Sequence, residues 1–409
     1  MVTVGGMIAI LLIPTVLASS VVNLGQIVKL SEGDLGLEGA SVSPDGDIAI
    51  AFGVESQLFL IDTSSPVNFS KIYWNGDNDF LDASFHVRGN TALIVGEDGE
   101  ILRFYRSSNS VEDAGGDVFF GETDLRSVSW NGDGSWAYVG GEMGWLWRVR
   151  GLESGGMEAH LIEGSGSSDV NGIACLQSFN SCVIATSVDG VGIIDADHRV
   201  HWIGGTGYPW IDVECPERNG NQCVAISSER DIAVIELNDF DASASEFGIV
   251  QLLDLDGRFD GIATQSESRT LISMAPFAII EHDLVPRKSF PWLGNSDAVD
   301  FSSEISGERI VSTWGLGETN GWLLTDSGTI VEFGLEDEGG ERPGILGIWI
   351  GIVVLGGMVL VVTSLLASSS PKIRRWLTFR IGSEEEMKDA KREQRIQKGN
   401  RRSNSKRRR

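Results

Sequence analysis

Residues 125–150 read LRSVSWNGDGSWAYVGGEMGWLWRVR. Apolar and polar residues alternate through RSVSW, SWAYVG and WLWRV. Glycine-rich turns separate the three runs, at Asn131-Gly132-Asp133-Gly134 and at Gly141–Gly144. Alternation with a period of two, cut by turns of this composition, is the pattern of consecutive antiparallel strands. The same pattern recurs as DASFHVRGNTALIVGEDGEILRFY from Asp82 to Tyr105 and as GASVSPDGDIAIAFGVESQLFLID from Gly39 to Asp62.

Aligning a small or acidic residue at the head of the first strand gives seven copies, headed by Gly39, Asp82, Ser127, Gly172, Asp212, Gly261 and Ala298. The spacings are 43, 45, 45, 40, 49 and 37 residues. A period near that length with about four strands per unit is that of a β-propeller blade. A second marker, apolar-x-Gly, precedes the heads at Trp74-x-Gly76, Phe119-x-Gly121, Ile162-x-Gly164, Trp202-x-Gly204, Leu255-x-Gly257 and Trp292-x-Gly294. It marks the crossing from an outer strand to the next inner one. The segment before Gly33 has the look of an outer strand with no earlier blade to complete. The last copy, Ser296–Glu336, lacks one. A strand near Leu24–Leu30 is therefore expected to close the ring. Strand assignment within 303–333 is open, with an extra strand or a bulging loop around Gly315–Gly321. A pair of two-sheet sandwiches is the competing architecture, but it leaves the leading strand unexplained.

Ser43-Pro44-Asp45-Gly46, Asn131-Gly132-Asp133-Gly134 and the Val95–Gly99 hairpin carry a resemblance to the β-propeller superfamily with SPDG-type turns, similar to WD-repeat proteins. It covers about residues 24–336. No Trp-Asp or Gly-His dipeptide occurs, so the WD signature itself is missing. The resemblance implies an all-β seven-bladed propeller that serves as a binding platform, and it implies no catalytic residue.

The chain outside the repeats reads as membrane apparatus. Ile345–Ala367 is 23 residues without a charge, long enough for a transmembrane helix. A buried core helix is the alternative, and such helices are rarely apolar all round. Residues 1–344 hold 17 Lys+Arg against 53 Asp+Glu, and residues 368–409 hold 15 against 5. The positive-inside rule places the basic tail in the cytoplasm and the acidic body outside. Residues 1–18 read as a signal peptide ending at Val16-Leu17-Ala18. They carry no Lys or Arg, so an uncleaved N-terminal anchor is the other reading, with the same topology. The expected organisation is a propeller over 19–336, a linker over 337–344, the transmembrane helix, and a cytoplasmic tail with a helix at about 384–398 ended by Gly399. Lys372, Arg374, Arg375, Trp376 and Arg380 are placed to touch anionic lipid at the membrane surface. Gly347 and Gly351 form a GxxxG pair suited to a helix–helix contact and a weak homodimer.

Cys175 with Cys182, and Cys215 with Cys223, fall on neighbouring strands of the fourth and fifth copies, within disulfide reach. Local pairing is favoured among three connectivities, and each bridge stabilises by about 2–3 kcal/mol on the chain-entropy model. A four-thiolate zinc site is the competing reading, with poor spacing. Asn68-Phe69-Ser70 is a glycosylation sequon. His198 and His201 are three apart and so face opposite ways on a strand. Asp254, Asp256 and Asp260 lie in an acidic loop that lacks EF-hand spacing; solvated charge is favoured there over Ca²⁺.

No nucleophile elbow, zinc-protease or phosphate-loop motif is present, so no catalytic residue, metal or cofactor is expected. The acidic body repels nucleic acid. The reading that results is a single-pass, membrane-tethered extracytoplasmic platform for protein or glycan partners. The alternatives are an envelope-assembly or scaffold factor coupled to cytoplasmic machinery through the tail, and a propeller hydrolase or lyase.

Overall fold

The computed structural model describes residues 22–335, less 117, 119, 153–155, 177, 179, 217–219, 239–240, 253–254, 295–298, 300, 303–304, 306 and 318, and it describes 384–406. The first body consists of seven four-stranded antiparallel sheets. The leading strand is β1 (Val22–Lys29). Blade 1 is β2 (Leu37–Val42), β3 (Ile48–Gly53), β4 (Leu58–Asp62) and β5 (Phe69–Lys71). Blade 2 is β6 (Phe80–Phe85), β7 (Thr91–Gly96), β8 (Ile101–Tyr105) and β9 (Ser110–Asp113). Blade 3 is β10 (Leu125–Trp130), β11 (Ala137–Gly141), β12 (Leu146–Gly151) and β13 (Met157–Leu161). Blade 4 is β14 (Val170–Cys175), β15 (Cys182–Thr186), β16 (Val191–Ile194) and β17 (Val200–Gly204). Blade 5 is β18 (Trp210–Glu214), β19 (Gln222–Ser227), β20 (Asp231–Glu236) and β21 (Glu246–Gln251). Blade 6 is β22 (Arg258–Ser266), β23 (Arg269–Ala275), β24 (Ala278–Asp283) and β25 (Lys288–Leu293). Blade 7 is β26 (Ile310–Gly315), β27 (Asn320–Thr325) and β28 (Thr329–Leu335), with β1 as its fourth, outer strand.

Closure by the N-terminal strand is thus as expected, and its register runs from Val22↔Leu335 to Lys29↔Thr329 with a slip between Leu24 and Ile27. The seven radial sheets rule out the sandwich pair. Middle strands such as ALIVG and CVIAT are apolar throughout because a blade covers each of their faces. Seams are filled by opposed apolar side chains: Phe52 and Leu58 of blade 1 meet Phe80 and Phe104 of blade 2.

Six of the seven heads fall at one structural position. Each inner strand carries a β-bulge immediately before its head, for example between Phe80 and Asp82 and between Trp210 and Asp212. In blade 7 the bulge lies between Ile310 and Ser312. The seventh head is therefore Ser312 and not Ala298, which lies outside the described residues. A long connection, 294–309, separates β25 from β26, and it seats the fully buried Ile305 among residues of blades 6 and 7. The run ERIVSTW-GWLLTD-TIVEFG maps one-to-one onto β26, β27 and β28. Gly315 pairs with Gly321, so β26 and β27 form a hairpin, and among the described residues no extra strand is added there.

The second body contains a helix, α1 (Glu384–Lys406), which runs through Gly399 instead of ending near 398. Residues 1–18, the linker and the 345–367 segment lie outside the described residues, as do Gly347, Gly351, Lys372, Arg374, Arg375, Trp376 and Arg380. Among the described residues, no helix is long and apolar enough to cross a membrane.

Phe333 of β28 is fully buried and meets Trp292 of blade 6 edge-to-face at 6.0 Å. Phe333→Ala should destabilise the propeller by about 3–5 kcal/mol, read from the midpoint of urea unfolding. An unchanged midpoint would mean that this seam does not hold the ring.

Candidate functional site

The inner strands surround a central channel of about 710 Å³ lined by residues of all seven blades. Side chains at the heads and at alternate positions after them reach toward the next blade, and three kinds of head make that junction. Asp82 accepts from Val128 N of blade 3 at 2.7 Å and from its own neighbour Ala83 N at 2.7 Å. Asp212 repeats this, accepting from Val213 N at 2.8 Å and Ile262 N of blade 6 at 3.3 Å. The serine heads donate instead: Ser127 Oγ to Val170 O at 2.9 Å, and Ser312 Oγ to Ala40 O at 3.2 Å. At the glycine head Gly172 the next blade comes so close that an added Cβ would lie 2.9 Å from Asp212 Cα. "Small or acidic" thus has a physical reason at five heads: the position is a junction, filled by a hydrogen-bonding side chain at Asp82, Ser127, Asp212 and Ser312 and by none at Gly172.

The channel wall is acidic. Glu38, Asp45, Asp82, Asp212, Glu214 and Asp260 line it, and Arg126 is the one basic residue among the described lining. The Arg126 guanidinium is engaged by Glu142 at 2.7 Å and Asp169 at 3.6 Å. Removal from water pushes the Asp82 carboxyl up to about 7, against the pull of its two N–H donors, and Glu214 adds repulsion. Desolvation raises Asp212 to about 8, with further repulsion from Asp82 and Glu214. Sequence reading used both aspartates only as register marks. Their chemistry comes from blades 2 and 5 facing one channel, which no local pattern encodes.

A second surface lies on the face where the inner strands begin. Asp79, Asp124 and Asp169, each three residues before a head, accept from the backbone N–H of Glu55 (2.9 Å), Asp98 (3.3 Å) and Met143 (3.0 Å). Those three donors sit at φ near +50° in turns of the preceding blade. An aspartate at a fixed offset was the available signal for this repeated lock. On blades 3 and 4 the lock carries exposed apolar groups: Met143, Trp145, Val188 and Trp202. Trp145 stacks on Trp147 at 5.7 Å with a 10° interplanar angle, and Trp202 Nε1 donates to Gly164 O at 3.1 Å. Asp189 ties the loop between them by accepting from Ser167 N, Ser168 N and Ser168 Oγ at 2.6–2.8 Å, which holds its carboxyl below the usual range.

The two disulfides pair locally, Cys175–Cys182 and Cys215–Cys223, with Cα atoms 4.0 and 4.2 Å apart. They staple the first hairpins of blades 4 and 5, which leaves no thiolate set for zinc. Asn68 is exposed just before β5. His198 and His201 have separate partners: Tyr138 OH at 2.8 Å and Asp195 at 2.7 Å. Asp260 is held by Arg258 at 3.2 Å, and Asp254 lies outside the described residues. Among the described residues, no group of three or more His, Cys, Asp or Glu side chains is placed to hold a metal ion.

Fold and channel define a seven-bladed β-propeller. Among solved structures, the chain is similar to the β-propeller domain of Cps50 (Swd1) from Myceliophteria thermophila, with a TM-score of 0.61, 9% identity, and coverage of 77% of this chain and 100% of that one. At that identity the likeness shows the fold alone. No family model matches the chain, and no curated protein matches it.

The raised aspartates make stability depend on pH. An unfolded aspartate titrates near 3.8, so the folded protein retains protons that the unfolded chain has released. Their contribution is fully present below about pH 4 and declines as pH rises toward 7–8. The urea midpoint should fall across that interval, and the fall should be shallower in Asp82→Asn/Asp212→Asn. An equal slope in the double variant would refute the assignment.

Proposed function

We propose that the protein is a membrane-tethered extracytoplasmic propeller that binds a protein or glycan partner on the exposed tryptophan-bearing face of blades 3 and 4. One observation carries the platform reading: Met143, Trp145 and Val188 on turns and Trp202 on the outer strand β17 stand exposed, with hydrogen bonds at Met143, Val188 and Trp202 holding the segments that bear them. Fixed segments lose little conformational entropy on binding, and aromatic side chains offer large contact area. Support for the tether comes from the sequence. The uncharged 345–367 run follows the last strand of a ring already closed by β1, and basic residues follow the run. Two disulfides accord with an oxidising compartment.

Topology is tested in intact cells with a membrane-impermeant maleimide. Glu112→Cys on the exposed side of β9 should label directly, and Ser405→Cys should label only after permeabilisation. The reverse pattern would sink the topology. For the platform, Trp145→Ala/Trp202→Ala should reduce crosslinked partner recovered from native membranes by about tenfold, equivalent to ~1.4 kcal/mol, with the unfolding midpoint unchanged. Identical crosslinks in wild type and variant would place the contact elsewhere.

A further inference from the structure

We propose that the central channel binds a linear polyamine, whose ammonium groups sit on the carboxylates of Asp212, Glu214 and Asp82. This inference is independent of the tether and of the tryptophan-bearing face. It starts from an imbalance of donors and acceptors on the wall between β18 and β22. Asp212 accepts from Ile262 N, and Glu214 accepts from Thr264 Oγ1 at 2.8 Å. Asp260, whose side chain is only 7% exposed, uses Oδ1 toward Arg258, and its Oδ2 is buried with no hydrogen-bond partner. Gln265 spends its amide on Gly317 O at 2.8 Å and Asn320 O at 3.3 Å, so its buried Oε1 also lacks a donor. Both residues line the channel. Buried acceptors without donors are destabilising, and an ammonium supplies three donors and no acceptor.

The shape of the charge selects an extended cation over a compact one. Asp82 and Asp212 occupy the same head position on blades 2 and 5, Glu214 lies two residues further along β18, and the described residues offer no metal-ligating cluster. Asp212 and Glu214 are two residues apart on one strand, about 6.6–6.8 Å along it. Amines separated by three or four methylenes match such a spacing. The other charged groups lining the channel are Glu38, Asp45, Asp82 and Asp260, opposed by Arg126, which is already paired. A predominantly acidic channel in a chain of net charge −26 concentrates cations. Protons held on Asp82 and Asp212 compete with the ligand, so binding tightens as pH rises.

The test is calorimetric titration of the detergent-solubilised full-length protein with spermidine at about pH 6 and about pH 8.5, values that straddle the raised aspartates. The expected result is saturable one-to-one binding, at least about tenfold tighter at the higher pH, with proton release near neutrality detected by changing the buffer. Glu214→Gln, which leaves the Asp212 junction intact, and Asp212→Asn should each weaken binding about tenfold or more. Asp98→Asn on the outer turn should not. Heats insensitive to both channel substitutions would show adsorption to the acidic exterior and overturn the proposal. So would Ca²⁺ binding with the same dependence on Asp212 and Glu214. Unfolding midpoints of the variants separate lost binding from lost fold.

Discussion

The antiparallel pairing of β1 with β28 is the constraint on which the rest depends. Every other blade is built from strands adjacent in sequence, and each could form as its segment folds. Blade 7 cannot, because its outer strand lies about three hundred residues upstream of its partner. Once that pair forms, the first and last blades are fixed to each other. Trp314 Nε1 can then reach Thr63 O at 3.2 Å, and Arg309 can reach Glu38 at 3.2 Å across the seam. Contacts of such long sequence separation are slow to form. In return the ring exposes only short outer strands as edges.

Closure also creates the channel, and the channel gives ordinary residues unusual chemistry. Asp82 and Asp212 are junction residues first: each carboxylate accepts a backbone N–H from the inner strand of the next blade. Their location on a narrow shared wall then brings desolvation and mutual repulsion. The same side chains thus join neighbouring blades and set the charge of the axis. Asp79, Asp124 and Asp169 do comparable locking work at the rim, each accepting a backbone N–H from a turn of the preceding blade. The difference between the two sets is place in the fold and not residue type: one lines the channel and the other lies on the face where the inner strands begin.

Period, blade number and closing strand were all legible from alternation and turn composition, because each blade repeats the same local problem of two buried faces. The disulfides were legible for the same reason, since equivalent positions on paired strands must be close. The seventh head was misplaced at Ala298 because the 294–309 connection is long and mimics the start of a blade, and the true head, Ser312, sits inside what reads as one continuous strand. The end of α1 was set too early because Gly399 alone does not stop a helix whose flanking residues favour continuation. The channel carboxylates were visible as letters but not as a site: nothing local to Asp82 tells that Asp212, 130 residues later, faces the same space.

The register Val22↔Leu335 brings the first strand residue and the last side by side. Load applied between those two points would meet the β1–β28 ladder one hydrogen bond at a time, as in opening a zipper, and not all bonds together as in shear. The seam that completes the ring is therefore its mechanically softest line when both ends are held. A body suspended from Leu335 alone places no load on that line.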